Sequence, residues 1–297
     1  MWFYLAFSSA MLLGIYDVFK KMSLNNNAVL PVLMLSISTS ALIFIPFILL
    51  SNYNIIGHEH WLHIPKLNAT QHLQVVLKSV IVLTSWIFSF FALKHLPITI
   101  VTPIRATGPL WTLLGALVIF SEQLNGLQWI GIATTLLFFY LFSTTGKTEG
   151  ISFISNKWFW FIILATLSGA VSGLYDKYLL QQLDRMAIQA WFSIYQWFLM
   201  IPIVAFLWWP SRKKSTPFSF RWTIPLIGIM LVLADYLYFK ALSQTDALIS
   251  VISAIRRGGV IIAFTFGAIV FKEQNIKKKS LYLLGILAGI SILLFSS

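Results

Sequence analysis

Apolar runs of roughly 18–25 residues, separated by short polar links, organise this sequence from end to end. Each run is long enough to cross a bilayer as a helix, and the pattern predicts ten such helices. They fall at 2–19, 30–50, 73–93, 98–120, 127–143, 158–180, 187–208, 222–242, 247–271 and 280–296. Pro46, Pro103, Pro109 and Pro202 lie inside these runs. Neighbouring helices in a membrane bundle re-satisfy the backbone that a proline frees, so they do not count against helix. Two links are long: 51–72, rich in His, Asn and Trp, and 209–221, with Arg212-Lys213-Lys214. The expected fold class is therefore all-α and integral to the membrane.

The runs fall into two matching sets. Gly14-Ile15-Tyr16-Asp17 recurs as Gly173-Leu174-Tyr175-Asp176. Ile104-Arg105 followed by Phe120-Ser121-Glu122-Gln123 recurs as Ile255-Arg256 followed by Phe271-Lys272-Glu273-Gln274. The chain thus divides into a five-helix repeat at 1–145, a linker at 146–157 and a second five-helix repeat at 158–297. An odd number of crossings inverts the second repeat relative to the first. Link charge agrees: 121–128 holds no Lys or Arg, whereas the equivalent link holds Lys272, Lys277, Lys278 and Lys279. Lys20, Lys21, Lys94, Lys147, Lys157, Arg212, Lys213, Lys214 and Arg221 also fall in odd-numbered links. The positive-inside rule then puts those links in the cytoplasm and both termini outside. The expected location is the inner (plasma) membrane, as a multi-pass protein.

Composition excludes other classes. The chain is 58% hydrophobic and 10% charged, with a mean hydropathy of +0.83, far from the charged content of about 25% in soluble domains. Cysteine is absent, which removes disulfide and thiol chemistry. The net charge of +12 is spread over the links instead of forming one basic stripe, so no nucleic-acid partner is expected. The first run lacks a basic region before it and a small-residue cleavage site after it, and is expected to be a retained span.

Two local patterns carry a family resemblance. Ala92-Leu93…Pro109-Leu110-Trp111…Gly115…Glu122-Gln123-Leu124…Gly131 and Ala241-Leu242…Gly267…Glu273-Gln274…Gly285 resemble the repeat of the drug/metabolite transporter superfamily, in particular its EamA-type ten-span carriers. The resemblance implies a secondary transporter with a solute cavity near the midplane between the halves, and export rather than import. The second repeat departs from the pattern with Val260 where the first has Pro109. The termini inferred to lie outside are a second departure.

Charges inside apolar runs are expensive and point to function. At 1.5 Å per residue, Arg105 lies about 6 Å from the midplane and Asp17 about 10 Å, on one side. Arg256 lies about 4–5 Å away on the other side, near Asp235, with Asp176 about 10 Å out. Asp17–Arg105 and Asp176/Asp235–Arg256/Arg257 are therefore candidate closures of an alternating-access site; the alternative is permanent ion pairs that hold helices together. Asp235 has no acidic counterpart, since Trp86 stands at the equivalent position, and it is the candidate for proton coupling. Arg256-Arg257-Gly258-Gly259 pairs two planar donor forks with bare backbone, which suits a carboxylate or phosphate. Three deep arginines, with Lys240 at the margin, nearly balance the three aspartates, which favours an amino-acid-like zwitterion or small organic anion. Arg105, Arg256, Arg257, Trp86, Tyr195 and Gln196 are the candidate substrate contacts, with Tyr4 and Trp111 as further aromatics that can line a cavity.

The remaining motifs carry less. His58-Glu59-His60…His63 lacks a regular metal-ligand spacing, so no metal is expected. Asn68-Ala69-Thr70 is a glycosylation sequon. Glu122 and Glu273 read as helix-end residues. Gly169–Gly173 and Gly285–Gly289 have the spacing of close helix contacts, with the last span available for a homodimer. There is no phosphate loop, nucleophile elbow or metalloprotease helix, so no cofactor is expected. A flippase for lipid or lipid-linked substrates, or a membrane-embedded enzyme, is the alternative to a carrier whose partners are a small solute, the bilayer and protons.

Overall fold

The computed structural model describes residues 2–57, 59–108, 110, 111, 114, 125–148, 155–242, 244, 255–271 and 275–295. Among these, ten α-helices and no strands are present: α1 (Trp2–Leu24), α2 (Val29–Asn52), α3 (Ala69–His95), α4 (Ile98–Ala106), α5 (Gly126–Thr148), α6 (Lys157–Leu180), α7 (Arg185–Ile203), α8 (Thr223–Leu242), α9 (Gly259–Val270) and α10 (Ile276–Phe295). Six have the length and apolarity to cross a membrane: α1, α2, α3, α6, α8, and α7 with its continuation to Trp208. The apolar part of α5, Gly126–Phe142, is shorter. The expected spans 98–120 and 247–271, which hold α4 and α9, run into residues outside the described ones, so the six spanning helices are a count of the described residues alone.

Local chemistry sets the ends. Asn68 opens α3 with a capping box: its side chain accepts from the Gln71 N–H, and the Gln71 side chain accepts from the Asn68 N–H. The sequon asparagine is therefore a helix cap. Asp184 caps α7 by accepting from the Met186 and Ala187 N–H groups. Near the other end of α7, Pro202 removes one backbone donor, and the chain runs into a π-helical turn at Val204–Trp208 closed by Trp209 N–H to Val204 C=O. Helix α1 runs past its apolar stretch to Leu24, so Lys20 is a buried helix residue and not a link charge. Lys279 is likewise buried in α10, donating to Thr99 Oγ1 at 3.0 Å.

The helices pack mainly across the halves: α1 on α8, α3 on α6, α5 on α10, α2 on α7 and α4 on α9. If α1–α5 are matched in order to α6–α10, exchanging the sets turns α1·α8 into α6·α3 and leaves the other three pairs unchanged. Glycines permit the closest approaches. A Cβ on Gly259 would run into the Ala10 carbonyl of α1, and one on Gly289 would meet Thr135 and the Gly131 carbonyl of α5. Gly285 sits against the Phe138 ring. The glycine face of the last span thus packs against α5 within the bundle. In α6, Gly169 makes ordinary contact with Ser85 and Gly173 faces open space, so this second small-residue pair makes no tight crossing.

Candidate functional site

Two adjoining cavities lie between α1, α2, α3, α7 and α8. The first is lined by Tyr16, Ser36, Ile37, Ser40, Trp86, Phe90, Ile227, Gly228 and Leu231. The second is lined by Ser40, Trp86, Gln189, Phe192, Ser193, Gln196, Leu231, Val232 and Asp235. Ser40, Trp86 and Leu231 are common to both, so the indole stands in the partition. Gln189, Ser193 and Gln196 follow the i, i+4, i+7 spacing that puts side chains on one face of α7. Gly228 lets α8 come against the Ser36 carbonyl of α2, where a Cβ would collide.

The second cavity holds unspent polar atoms. Gln189 Nε2 donates to the Val232 carbonyl at 3.1 Å, yet its Oε1 is buried without a partner, as is Gln196 Nε2. Leaving a buried donor or acceptor unmade costs about 1–3 kcal/mol. One free acceptor, one free donor and the Asp235 carboxylate thus face a space walled by the Trp86 and Phe192 rings.

Ion pairs flank both cavities. Asp17 Oδ1 accepts from Arg105 at 2.8 Å and from Lys20 at 3.3 Å. The Lys20 ammonium lies 4.7 Å from the ring centres of both Tyr16 and Phe90, which line the first cavity. Asp235 accepts from Arg256 at 2.6 Å, and the same guanidinium covers the Tyr238 ring at 3.9 Å. Asp176 pairs with Lys78, whose ammonium lies 4.9 Å from the Phe192 ring of the second cavity. Each cavity therefore has an aromatic wall backed by a buried lysine and an aspartate from the repeated Gly-x-Tyr-Asp motif.

Arg257 is arranged differently. No carboxylate among the described residues lies within ion-pair distance of it, and its Nε is buried without a partner. Its guanidinium packs on the bare backbone of Gly108, where a Cβ would stand 3.2 Å from Nη2. The charges of Arg105, Arg256 and Asp17 all reach it. The contact joins two matching interruptions. Thr107 N–H bonds to Ile104 C=O, and Leu110 N–H to Thr107 C=O. Gly258 N–H bonds to Ile255 C=O, and Ile261 N–H to Gly258 C=O. These are the same tight three-residue closures at the same positions of the two sequence repeats, each meeting at the second residue past the repeated arginine.

The EamA-like transporter family model matches residues 1–144 and 156–295, nearly the whole chain in two segments. The chain belongs to the EamA-like transporter family. It is thus a multi-pass membrane protein of a family of transporters. Among solved structures, a chain titled only "Crystal structure of protein" superimposes with a TM-score of 0.61 at 12% identity, covering 98% of this chain and 95% of that one. That likeness shows a shared fold. No curated protein matches the chain.

Within this EamA-like bundle, the residues singled out by sequence fall in different places. Trp86, Gln196 and Asp235 line the cavities. Asp17 meets Arg105, and Asp235 meets Arg256. Asp176 meets neither arginine expected for it, because Lys78 takes it. Tyr195 is not among the residues lining either cavity; its hydroxyl bonds to His72 Nδ1 at 2.6 Å, with Trp191 stacked beside it. Tyr4 is largely exposed on the outside of α1. Trp111 donates to Thr107 Oγ1 at the helix interruption. Pro109, Glu122 and Glu273 lie outside the described residues, as does His58. His60 and His63 bond to backbone groups of their own link, and no group of three metal-binding side chains occurs among the described residues.

Sequence reasoning missed Lys20, Lys78, Gln189 and Ser40. The spacing of Gln189, Ser193 and Gln196 was a usable signal for the α7 face. Lys78 had none, because its position near a span end reads as a snorkelling residue. Adding Lys20 and Lys78 also corrects the charge balance. Lys20, Lys78, Arg105, Arg256 and Arg257 outnumber Asp17, Asp176 and Asp235 among the described residues, where a near-balance was expected.

Proposed function

We propose that this protein is a secondary transporter, an exporter, of a small organic anion or an amino-acid-like zwitterion. The observation that carries the substrate class is the Arg257 guanidinium, which lacks a carboxylate partner among the described residues and sits where the two helix interruptions meet. A substrate carboxylate or phosphate completes that site. Among the described residues the cations around the cavities outnumber the carboxylates, which favours net negative charge on the substrate. The free amide atoms of Gln189 and Gln196, with Asp235, receive its polar or ammonium end.

The transport cycle proposed is alternating access between two inverted five-helix repeats, 1–145 and 158–297, joined by the linker 146–157. Support comes from the helix pairing that survives exchange of the halves and from the matching backbone closures beside Arg105 and Arg256. Asp17–Arg105, Asp235–Arg256 and Asp176–Lys78 are the pairs that open and close around the cavities, and Asp235 is the site of any proton coupling. The odd-numbered links face the cytoplasm of a plasma (inner) membrane, on the strength of their charge.

A thermal-shift screen of the purified protein against anionic, zwitterionic and cationic metabolites tests the reading, run in parallel with Arg257→Ala. A ligand stabilises the folded state according to its concentration over its Kd. A carboxylate- or phosphate-bearing compound is expected to raise the melting temperature of wild type and not of the variant. Equal responses in both, or a response to cations alone, would show that the guanidinium holds helices and not substrate.

A further inference from the structure

Four basic segments far apart in sequence are gathered at one end of the bundle. The link from α7 to α8 is strapped to the α1–α2 turn: the Asn27 amide donates to the Ser219 carbonyl and accepts from its N–H, Ser23 Oγ meets Thr223 Oγ1, and Arg221 donates to the Met22 carbonyl. The same link reaches the end of α3, where Lys94 Nζ donates to Thr216 Oγ1 at 2.7 Å. Lys21 closes the end of α3 by donating to the Leu93 and Leu96 carbonyls. Next to it the exposed His95 ring lies flat on Trp158, 3.8 Å between centres at 10°, and Lys157 covers the same indole at 4.6 Å. The charges of Lys94, Lys157 and Lys21 all reach His95.

Among the described residues, no carboxylate pairs with this face. Of the carboxylates among the described residues, Asp17 is taken by Lys20 and Arg105, Asp176 by Lys78, and Asp235 by Arg256. Asp184 caps α7, and Glu59 lies in the link between α2 and α3. Arg212, Lys213 and Lys214 are exposed, with the Arg212 guanidinium 3.8 Å over the Trp209 ring. Clustered cations just beyond apolar helices attract anionic headgroups, and indoles at helix ends settle at the headgroup level.

We propose that this face docks the phosphate headgroups of anionic phospholipids, held between Lys94, His95 and Lys157 on one side and the Arg212–Lys214 stretch on the other. The tertiary straps matter because they make one surface of segments that are otherwise separate. The inference is independent of the transported solute, and its test uses none.

The test is the melting temperature of the full-length protein in detergent with added phosphatidylglycerol, phosphatidylcholine or inorganic phosphate. Phosphatidylglycerol is expected to raise it by about 5 °C over phosphatidylcholine, the shift of a ligand well above its Kd. His95→Ala/Lys157→Ala combined with Arg212→Ala/Lys213→Ala/Lys214→Ala is expected to lose most of that gain. In wild type, about 0.5 M NaCl should abolish it as well, a readout that needs no variant. Equal shifts with the two lipids, or a salt-insensitive shift, would overturn the proposal and leave the basic face a role in membrane orientation alone. An equal shift with inorganic phosphate would overturn it in favour of a free-anion site.

Discussion

Lys78 and Asp176 make an unequal pair, and the inequality can be measured. The Lys78 side chain is 5% exposed and that of Asp176 21%. The ammonium has surrendered its water for one carboxylate and the Phe192 and Phe239 rings, 4.9 and 6.0 Å away. Removing one partner of a buried pair costs about 3–5 kcal/mol because the other charge is stranded. Asp176→Asn strands the deeper charge, and about 3 kcal/mol is expected, the low end, since water reaches the vacated site. Lys78→Met strands a carboxylate that water already touches and lays an apolar chain against the two rings, so about 1 kcal/mol is expected. The double variant removes both charges and should return to within about 1 kcal/mol of wild type. The coupling in a double-mutant cycle is then about 3 kcal/mol. Melting in detergent reads the order: at roughly 2–4 °C per kcal/mol, Asp176→Asn falls about 6–12 °C. Equal losses in the single variants that simply add in the double would refute the reasoning, because they would show that the carboxylate does not compensate the lysine.

Two further contrasts, each between a pair of variants, follow from packing and hydrogen bonding. Gly289→Ala puts a methyl 2.7 Å from the Thr135 backbone nitrogen and 2.9 Å from the Gly131 carbonyl; it should destabilise by about 1–3 kcal/mol by prising α5 from α10. Gly173→Ala meets nothing within 4 Å and should stabilise by about 0.5–1 kcal/mol, so parallel melting curves that move together would sink the distinction. Tyr195→Phe removes the bond to His72 and should cost about 1 kcal/mol of stability while leaving ligand-induced shifts unchanged. Gln196→Leu should do the reverse, weakening the shift given by any stabilising metabolite, since its amide faces the second cavity.

The family and the membrane class were legible in the sequence because they rest on properties that each segment carries by itself: apolar length, link polarity, and motifs repeated at fixed spacing. Helix ends were legible where a cap is local, as at Asn68 and Asp184. The arrangement of charges was not. Asp17 and Asp176 belong to one repeated motif, yet Asp17 bonds to an arginine and a lysine, whereas Asp176 bonds to a lysine from α3. Which cation reaches a buried carboxylate depends on which helix lies beside it, and that is decided by shape-matched packing at positions such as Gly228 and Gly259. Hydropathy also read through the interruptions at Thr107 and Gly258, because a broken helix is as apolar as an intact one. Sequence thus settled what each segment is made of and that it lies in lipid. Tertiary packing alone decided which polar groups face one another, because desolvation binds each buried charge to whatever partner the neighbouring helix presents.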